Sequence, residues 1–111
     1  MLNEEQIWKL VDAKRAEFIA LSDRVFETPE TLYNEFASVA EHVAALKTEG
    51  FTVTEGICGM PTAVMGEAGT DGPVIAILGE FDALPQLSQT PGVVKHSPVK
   101  PGGNGHGCGH N

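Results

Sequence analysis

The chain has 111 residues, of which 41% are hydrophobic and 20% are charged, a composition that is ordinary for a globular protein and argues against disorder. Fifteen acidic residues against seven basic ones give a formal net charge of -8, which disfavours nucleic acid and anionic membrane surfaces as partners. No stretch approaches the ~20 apolar residues that cross a bilayer, and Cys58 and Cys108 allow one disulfide at most. We therefore expect a cytoplasmic protein with reduced thiols.

Two amphipathic helices are predicted in the first half of the chain. Apolar residues recur at three- and four-residue steps from about Asn3 to Phe26, and Pro29 then ends this helix. A second helix is predicted from near Asn34 to Glu49, with Gly50 placed to cap its C-terminus. Since each helix has one apolar face, we expect both to cover a sheet.

Three strands are predicted to follow the helices. Phe51–Thr54 alternates with the two-residue period of a half-exposed strand. Thr62–Gly66 and Val74–Leu78 are separated by a turn-rich segment and are expected to pair as a hairpin. The uninterrupted apolar run of Val74–Leu78 indicates a strand buried on both faces, as in layered sheets, so the predicted fold class is α/β.

Two acidic residues come directly after the third predicted strand. Glu80 and Asp82 stand at its carboxyl end, where open α/β sheets bind ligands, and their spacing lets both carboxylates face one cleft. The alternative is a pair of solvated loop acids. Elsewhere, His42 is interpreted as a surface or packed histidine, and Cys58 as a small buried hydrophobe.

Residues 85–111 are predicted to form a proline- and glycine-rich active-site loop. The loop ends in Gly105-His-Gly-Cys-Gly-His-Asn111, in which Cys108 and His110 are of the ligand types that bind zinc. On an extended backbone these two side chains would project to the same side. The residues alone leave three interpretations of this ending: metal ligands, a nucleophilic cysteine-histidine pair, or a flexible tail with incidental histidines.

Two segments taken together carry a resemblance to a known family. Gly79-Glu-Phe-Asp-Ala-Leu-Pro85 and the ending Gly105–Asn111 resemble the amidohydrolase branch of the zinc aminoacylase and carboxypeptidase superfamily. The resemblance covers essentially the whole chain. It implies that residues 1–111 are the N-terminal portion of a layered α/β metallopeptidase-type catalytic domain. It also implies a hydrolase that cleaves an amide bond of a carboxylate-bearing substrate, either aminobenzoyl-glutamate-like or an acyl-amino acid.

The resemblance also implies roles for the residues of the site. Cys108 and His110 match metal ligands, for zinc or manganese, with two ions in the complete protein. Asp82 matches an aspartate that orients the metal centre and is therefore assigned a catalytic role. His106 matches a histidine that precedes the ligands and is expected to support them. Glu80 stands where many relatives carry a metal-binding histidine and this branch commonly has an acid, so its role stays open.

A complete site needs more than these residues. In the family, the glutamate that acts as general base belongs to a Glu-Glu pair after the Cys-Gly-His segment, beyond Asn111. We therefore expect the isolated chain to be inactive and, because its strand edges are unpaired, to associate. The complete protein is expected to act on a small-molecule amide or peptide and to form a homo- or hetero-oligomer. The alternative is a stand-alone metal-binding or interaction module without catalysis.

Overall fold

The computed structural model describes residues 2–111, which form two helices, one hairpin and long irregular segments. Helix α1 spans Glu4–Glu27 and helix α2 spans Phe36–Thr48, while strand β1 spans Thr52–Glu55 and strand β2 spans Val64–Glu67. The predicted α/β class is confirmed, and both helices lie close to their predicted positions. None of the helices in the described part of the chain has the length and apolar character needed to cross a membrane.

Helix α1 is fixed at its ends by local sequence signals. The Asn3 side chain accepts a hydrogen bond from the Gln6 N–H, and the Gln6 side chain accepts one from the Asn3 N–H, both at 2.9 Å. Thr28 and Pro29 end the helix, as the sequence predicts. Val25 is buried, but the apolar face that we expected to cover a sheet is exposed along much of its length, at Ile7, Trp8, Leu10, Val11 and Phe18.

The hairpin differs from the predicted one. Strands β1 and β2 pair antiparallel, with Val53 opposite Gly66, so the predicted pairing of Thr62–Gly66 with Val74–Leu78 is wrong. The connection between the two strands explains the difference. Gly56, at a φ of 72°, starts a short 3₁₀ turn, and its N–H donates to the Ala63 carbonyl at 2.9 Å. The chain therefore reverses direction within this connection, and β2 pairs with β1, the strand that precedes it in the sequence.

Cys58 lies within that 3₁₀ turn, Ile57–Gly59. It is exposed, with a left-handed φ of 54°. The expectation that Cys58 is a buried hydrophobe is therefore wrong, because the residue occupies the tip of a turn rather than a position between packed elements.

Val74–Leu78 is not a strand within residues 2–111, so the prediction of a strand buried on both faces is wrong for the described chain. Its large side chains are between 82% and 99% exposed. A strand needs a neighbour to exchange backbone hydrogen bonds with, and no described segment pairs with this one. The segment has the composition of an interior strand, but no described strand lies beside it.

A small core lies where α2 meets the end of α1 and the segment that follows Glu80. Ion pairs join the two helices on the outside, between Arg24 and Glu41 at 2.7 Å and between Lys14 and Glu49. The buried apolar residues are Val25, Val39, Val43 and Ala83. Since Ala83 is next to Asp82, this core also fixes one side of the candidate site.

Candidate metal centre

Asp82 is positioned by a narrow ladder of three chain segments. The Ala83 N–H donates to the Glu30 carbonyl at 2.7 Å, and Thr31 and Ala83 form a parallel bridge. On the other side, Leu84 and Gly105 exchange two backbone hydrogen bonds of 3.0 Å in an antiparallel bridge. The ladder therefore brings the segment that carries Asp82 next to the tail that carries His110.

A stacked pair of rings ties the same segment to helix α2. The rings of His42 and Phe81 are stacked with centroids 4.7 Å apart. His42 also donates from Nδ1 to the Ser38 carbonyl at 2.8 Å. His42 is thus a packed histidine, one of the two interpretations that the sequence left for it, and it anchors the residue that precedes Asp82.

The tail lies against the end of helix α1. Three of its side chains donate hydrogen bonds to that region: Asn111 Nδ2 to Ser22 Oγ at 2.9 Å, His106 Nε2 to the Val25 carbonyl at 3.1 Å, and Asn104 Nδ2 to the Pro29 carbonyl at 3.3 Å. The Val25 carbonyl also accepts from the Thr28 N–H at 3.1 Å, and its two lone pairs allow both bonds. The tail is thereby docked on the protein, contrary to the interpretation as a flexible ending.

The backbone around Cys108 is a turn and not the extended chain that we expected. The Gly109 N–H donates to the His106 carbonyl at 3.1 Å, and Gly109 has a φ of 74°. Gly109 makes this turn possible because it adopts left-handed backbone angles without strain. Cys108 sits in the turn as an exposed free thiol. The inference that Cys108 and His110 project to one side of an extended segment is therefore wrong.

His110 and Asp82 form the central contact of the site. His110 Nδ1 donates to Asp82 Oδ1 at 2.8 Å, and His110 Nε2 lies 3.9 Å from Glu80 Oε2. The hydrogen bond to Asp82 is the main reason why the pKa of His110 is raised above its ordinary value. Because Nδ1 is held by the carboxylate, Nε2 is the nitrogen that stays available for a ligand.

His106 is buried, with only 8% of its surface exposed. Burial lowers its pKa, which favours the neutral form of the ring. With the Nε2 proton donated to the Val25 carbonyl, Nδ1 carries a buried lone pair that has no hydrogen-bond partner among the described residues. That His106 supports the metal ligands stays a prediction.

The donors fit part of a metal site. Histidine and cysteine suit zinc, and the orientation of His110 by Asp82 is the arrangement in which metal-binding histidines are commonly held. However, among residues 2–111 no three histidine, cysteine, aspartate or glutamate side chains converge on one point. A catalytic zinc normally has three protein ligands. The described residues therefore do not complete a ligand set by themselves.

Sequence reasoning missed Glu30, which links the site to helix α2. Its carboxylate accepts hydrogen bonds from the Ala37 N–H at 3.0 Å, the Ser38 N–H at 2.8 Å and the Ser38 hydroxyl at 2.9 Å. Partial burial acts to raise its pKa, but these bonds together outweigh burial and hold the pKa below the ordinary value. Glu30 stands six positions before Phe36, too far from the helix start for a capping rule to identify it.

Comparison with known proteins confirms that the chain is related to amidohydrolases and carboxypeptidases. It is 45% identical over 112 residues to a p-aminobenzoyl-glutamate hydrolase subunit of Escherichia coli, a match that covers 96% of this chain and 23% of the relative. It is 35% identical over 103 residues to thermostable carboxypeptidase 2 of Saccharolobus solfataricus, covering 89% of this chain and 25% of the relative. Thermostable carboxypeptidase 1 of the same organism is 35% identical over 94 residues, which are 83% of this chain and 23% of the relative.

No model of a protein family matches the chain. The chain spans about a quarter of the length of the curated relatives that it matches, between 23% and 25% of each.

Proposed function

We propose that this chain supplies part of the active site of a metal-dependent amidohydrolase or peptidase. The substrate is a carboxylate-bearing amide, either aminobenzoyl-glutamate-like or an acyl-amino acid. The observation that carries the proposal is the 2.8 Å contact between His110 Nδ1 and Asp82 Oδ1, since a carboxylate commonly orients a metal-binding histidine in this way. The names of the relatives, a hydrolase and two carboxypeptidases, support the same class.

Cys108 and His110 are the proposed ligands for zinc or manganese, with two ions in the complete site. When bound, such a metal polarises the scissile carbonyl and lowers the pKa of a bound water. Asp82 fixes the His110 ring so that Nε2 is free to bind, and the Glu80 carboxylate, 3.9 Å from Nε2, adds negative charge that favours a cation there. The remaining ligands and the general base are proposed to come from residues outside 2–111.

The proposal includes a setting for the protein. We propose a cytoplasmic enzyme that acts on small molecules. A homo- or hetero-oligomer is proposed because the Escherichia coli relative is named as one subunit of a hydrolase.

A chimera tests the proposed function. This chain replaces the matching quarter of the Escherichia coli hydrolase subunit, and hydrolysis of p-aminobenzoyl-glutamate is measured with added zinc or manganese. The chimera is expected to be active, and Cys108→Ala or His110→Ala to remove both bound metal and turnover. Asp82→Asn is expected to lower the rate about 10- to 100-fold, as for other residues that orient a ligand.

Cys58→Ala is the matched control for Cys108→Ala, because both cysteines are exposed free thiols but Cys58 lies in the hairpin connection. It is expected to leave metal content and rate unchanged. A folded and assembled chimera without turnover, or full metal content in the Cys108→Ala variant, would contradict the proposal. The isolated chain is expected to be inactive and to bind metal weakly, and metal-dependent turnover by it would show that the ligand set is complete after all.

A further inference from the structure

One short segment supports both halves of the candidate site. It consists of the last turn of α1 and the residues that follow it, Val25–Glu30. Three of its backbone carbonyls accept hydrogen bonds from the site: Val25 from His106, Pro29 from Asn104 and Glu30 from Ala83. Asp82 directly precedes Ala83, and His110 lies four residues after His106. Val25–Glu30 therefore contacts both chain segments that carry the Asp82 and His110 pair, in addition to the direct bridge between Leu84 and Gly105.

Glu30 holds this segment against helix α2. One carboxylate oxygen accepts from the Ala37 N–H, and the other accepts from both the N–H and the hydroxyl of Ser38. These groups belong to the first turn of α2, whose backbone donors have no partner inside the helix. Glu30 therefore contacts both the site and helix α2: its carbonyl accepts from Ala83, and its side chain accepts from the first turn of the helix.

We propose that Glu30 is a positioning residue of the site. Its carboxylate fixes the connection between α1 and α2, and this keeps the Glu30 carbonyl where it holds Ala83 and therefore Asp82 next to His110. The inference rests on the proposed function, which gives the Asp82 and His110 pair its role. A displacement of one ångström would be large for this pair, because a 2.8 Å hydrogen bond lengthened beyond about 3.5 Å is no longer one.

Histidine side-chain NMR of the whole chain tests the proposal without metal or substrate. A proton on His110 Nδ1 that is hydrogen-bonded to Asp82 exchanges slowly with water and gives a downfield resonance. The resonance is assigned by its absence in an Asp82→Ala variant. The unaltered chain is expected to show this resonance. Glu30→Ala is expected to lose it while the helical circular dichroism is kept, and Glu30→Gln, which retains the length and one acceptor oxygen, is expected to restore part of it.

Two further variants separate positioning from general destabilisation. Val43→Ala opens space in the core of α2 without removing a bond of Glu30, and it is expected to keep the resonance at equal loss of stability. Should Glu30→Ala not fold, Ser38→Ala removes only the hydroxyl bond and is expected to weaken the resonance in the same direction.

Three results would overturn the proposal: an unchanged resonance in folded Glu30→Ala and Ser38→Ala chains, an equal loss in Val43→Ala, or no resonance in the unaltered chain. The outcome is separate from that of the chimera, which reports metal and turnover. An inactive chimera together with a resonance that depends on Glu30 would reject the proposed function and keep the structural role.

Discussion

Two segments that lead into the same site are held in opposite ways. The tail Asn104–Asn111 has little apolar surface, yet its side chains bind the end of α1 and its backbone pairs with Leu84. Val74–Leu78 is wholly apolar, and it is nearly fully exposed. A few well-placed acceptors are enough to dock a polar tail, whereas an apolar strand needs neighbours at two edges and on two faces. Residues 2–111 supply the acceptors that the tail needs, but not the neighbouring strands and layers that Val74–Leu78 would need.

The two acidic residues of the site, Glu80 and Asp82, differ in exposure in the same way as these two segments. The Glu80 side chain, next to the exposed segment, is 76% exposed, and the Asp82 side chain, next to Ala83, is 27% exposed. Both approach His110, but only Asp82 does so at hydrogen-bond distance. The better-held residue of the pair is thus the one attached to the three-segment ladder.

Gly105→Ala tests the docking of the tail and is the variant with the largest expected effect on stability. A Cβ at this position would overlap the carbonyl of Leu87. Because this carbonyl is a backbone group, it cannot move aside by a change of side-chain rotamer. We expect a loss of about 1–3 kcal/mol in the free energy of unfolding, the usual cost of overpacking, together with faster amide exchange in the tail. Denaturant titration and hydrogen exchange measure the two effects.

Gly79→Ala is the control, because a Cβ there meets nothing within 4 Å and Gly79 has no positive φ. It is expected to leave both measurements unchanged. Equal effects of the two variants would mean that the tail is not docked on Leu84 and Leu87 in solution.

A smaller effect is expected from pH. The pKa of Glu30 is depressed in the folded chain, so its contribution to stability is complete above the ordinary carboxyl pKa and is lost as the pH falls through the depressed value. We expect the unaltered chain to lose more stability between neutral and acidic pH than Glu30→Gln, which cannot titrate there. Denaturant titrations across that range compare the two, and parallel pH profiles would show that the bonds to Ala37 and Ser38 are not made in solution.

What the sequence predicted follows from the range of the interactions. Helix positions were confirmed because the signals that predicted them, apolar periodicity with Pro29 and Gly50 at the ends, act over a few residues. The composition of a strand says that it pairs but not with what, which is why β2 was given the wrong partner. The docking of His106 on Val25 and of Asn111 on Ser22 joins residues 81 and 89 positions apart, and no spacing rule reaches that far.

Ile77→Lys probes the other side of the comparison and should have the smallest effect on stability. Because Ile77 is 93% exposed, we expect the free energy of unfolding to change by less than about 0.5 kcal/mol. Self-association should nevertheless decrease, since a charge within an exposed apolar segment of strand-like composition opposes its pairing with another copy. Sedimentation over a range of concentrations measures the association, and denaturant titration measures the stability.

Val94→Lys is the matched control, a fully exposed apolar residue that lies in a loop outside any predicted strand. It should change neither quantity. If Ile77→Lys lowers stability clearly more than Val94→Lys does, Ile77 is packed in solution and the contrast with the docked tail disappears. If stability stays the same and only association falls, Val74–Leu78 is free in the single chain, and its apolar surface is what brings copies together.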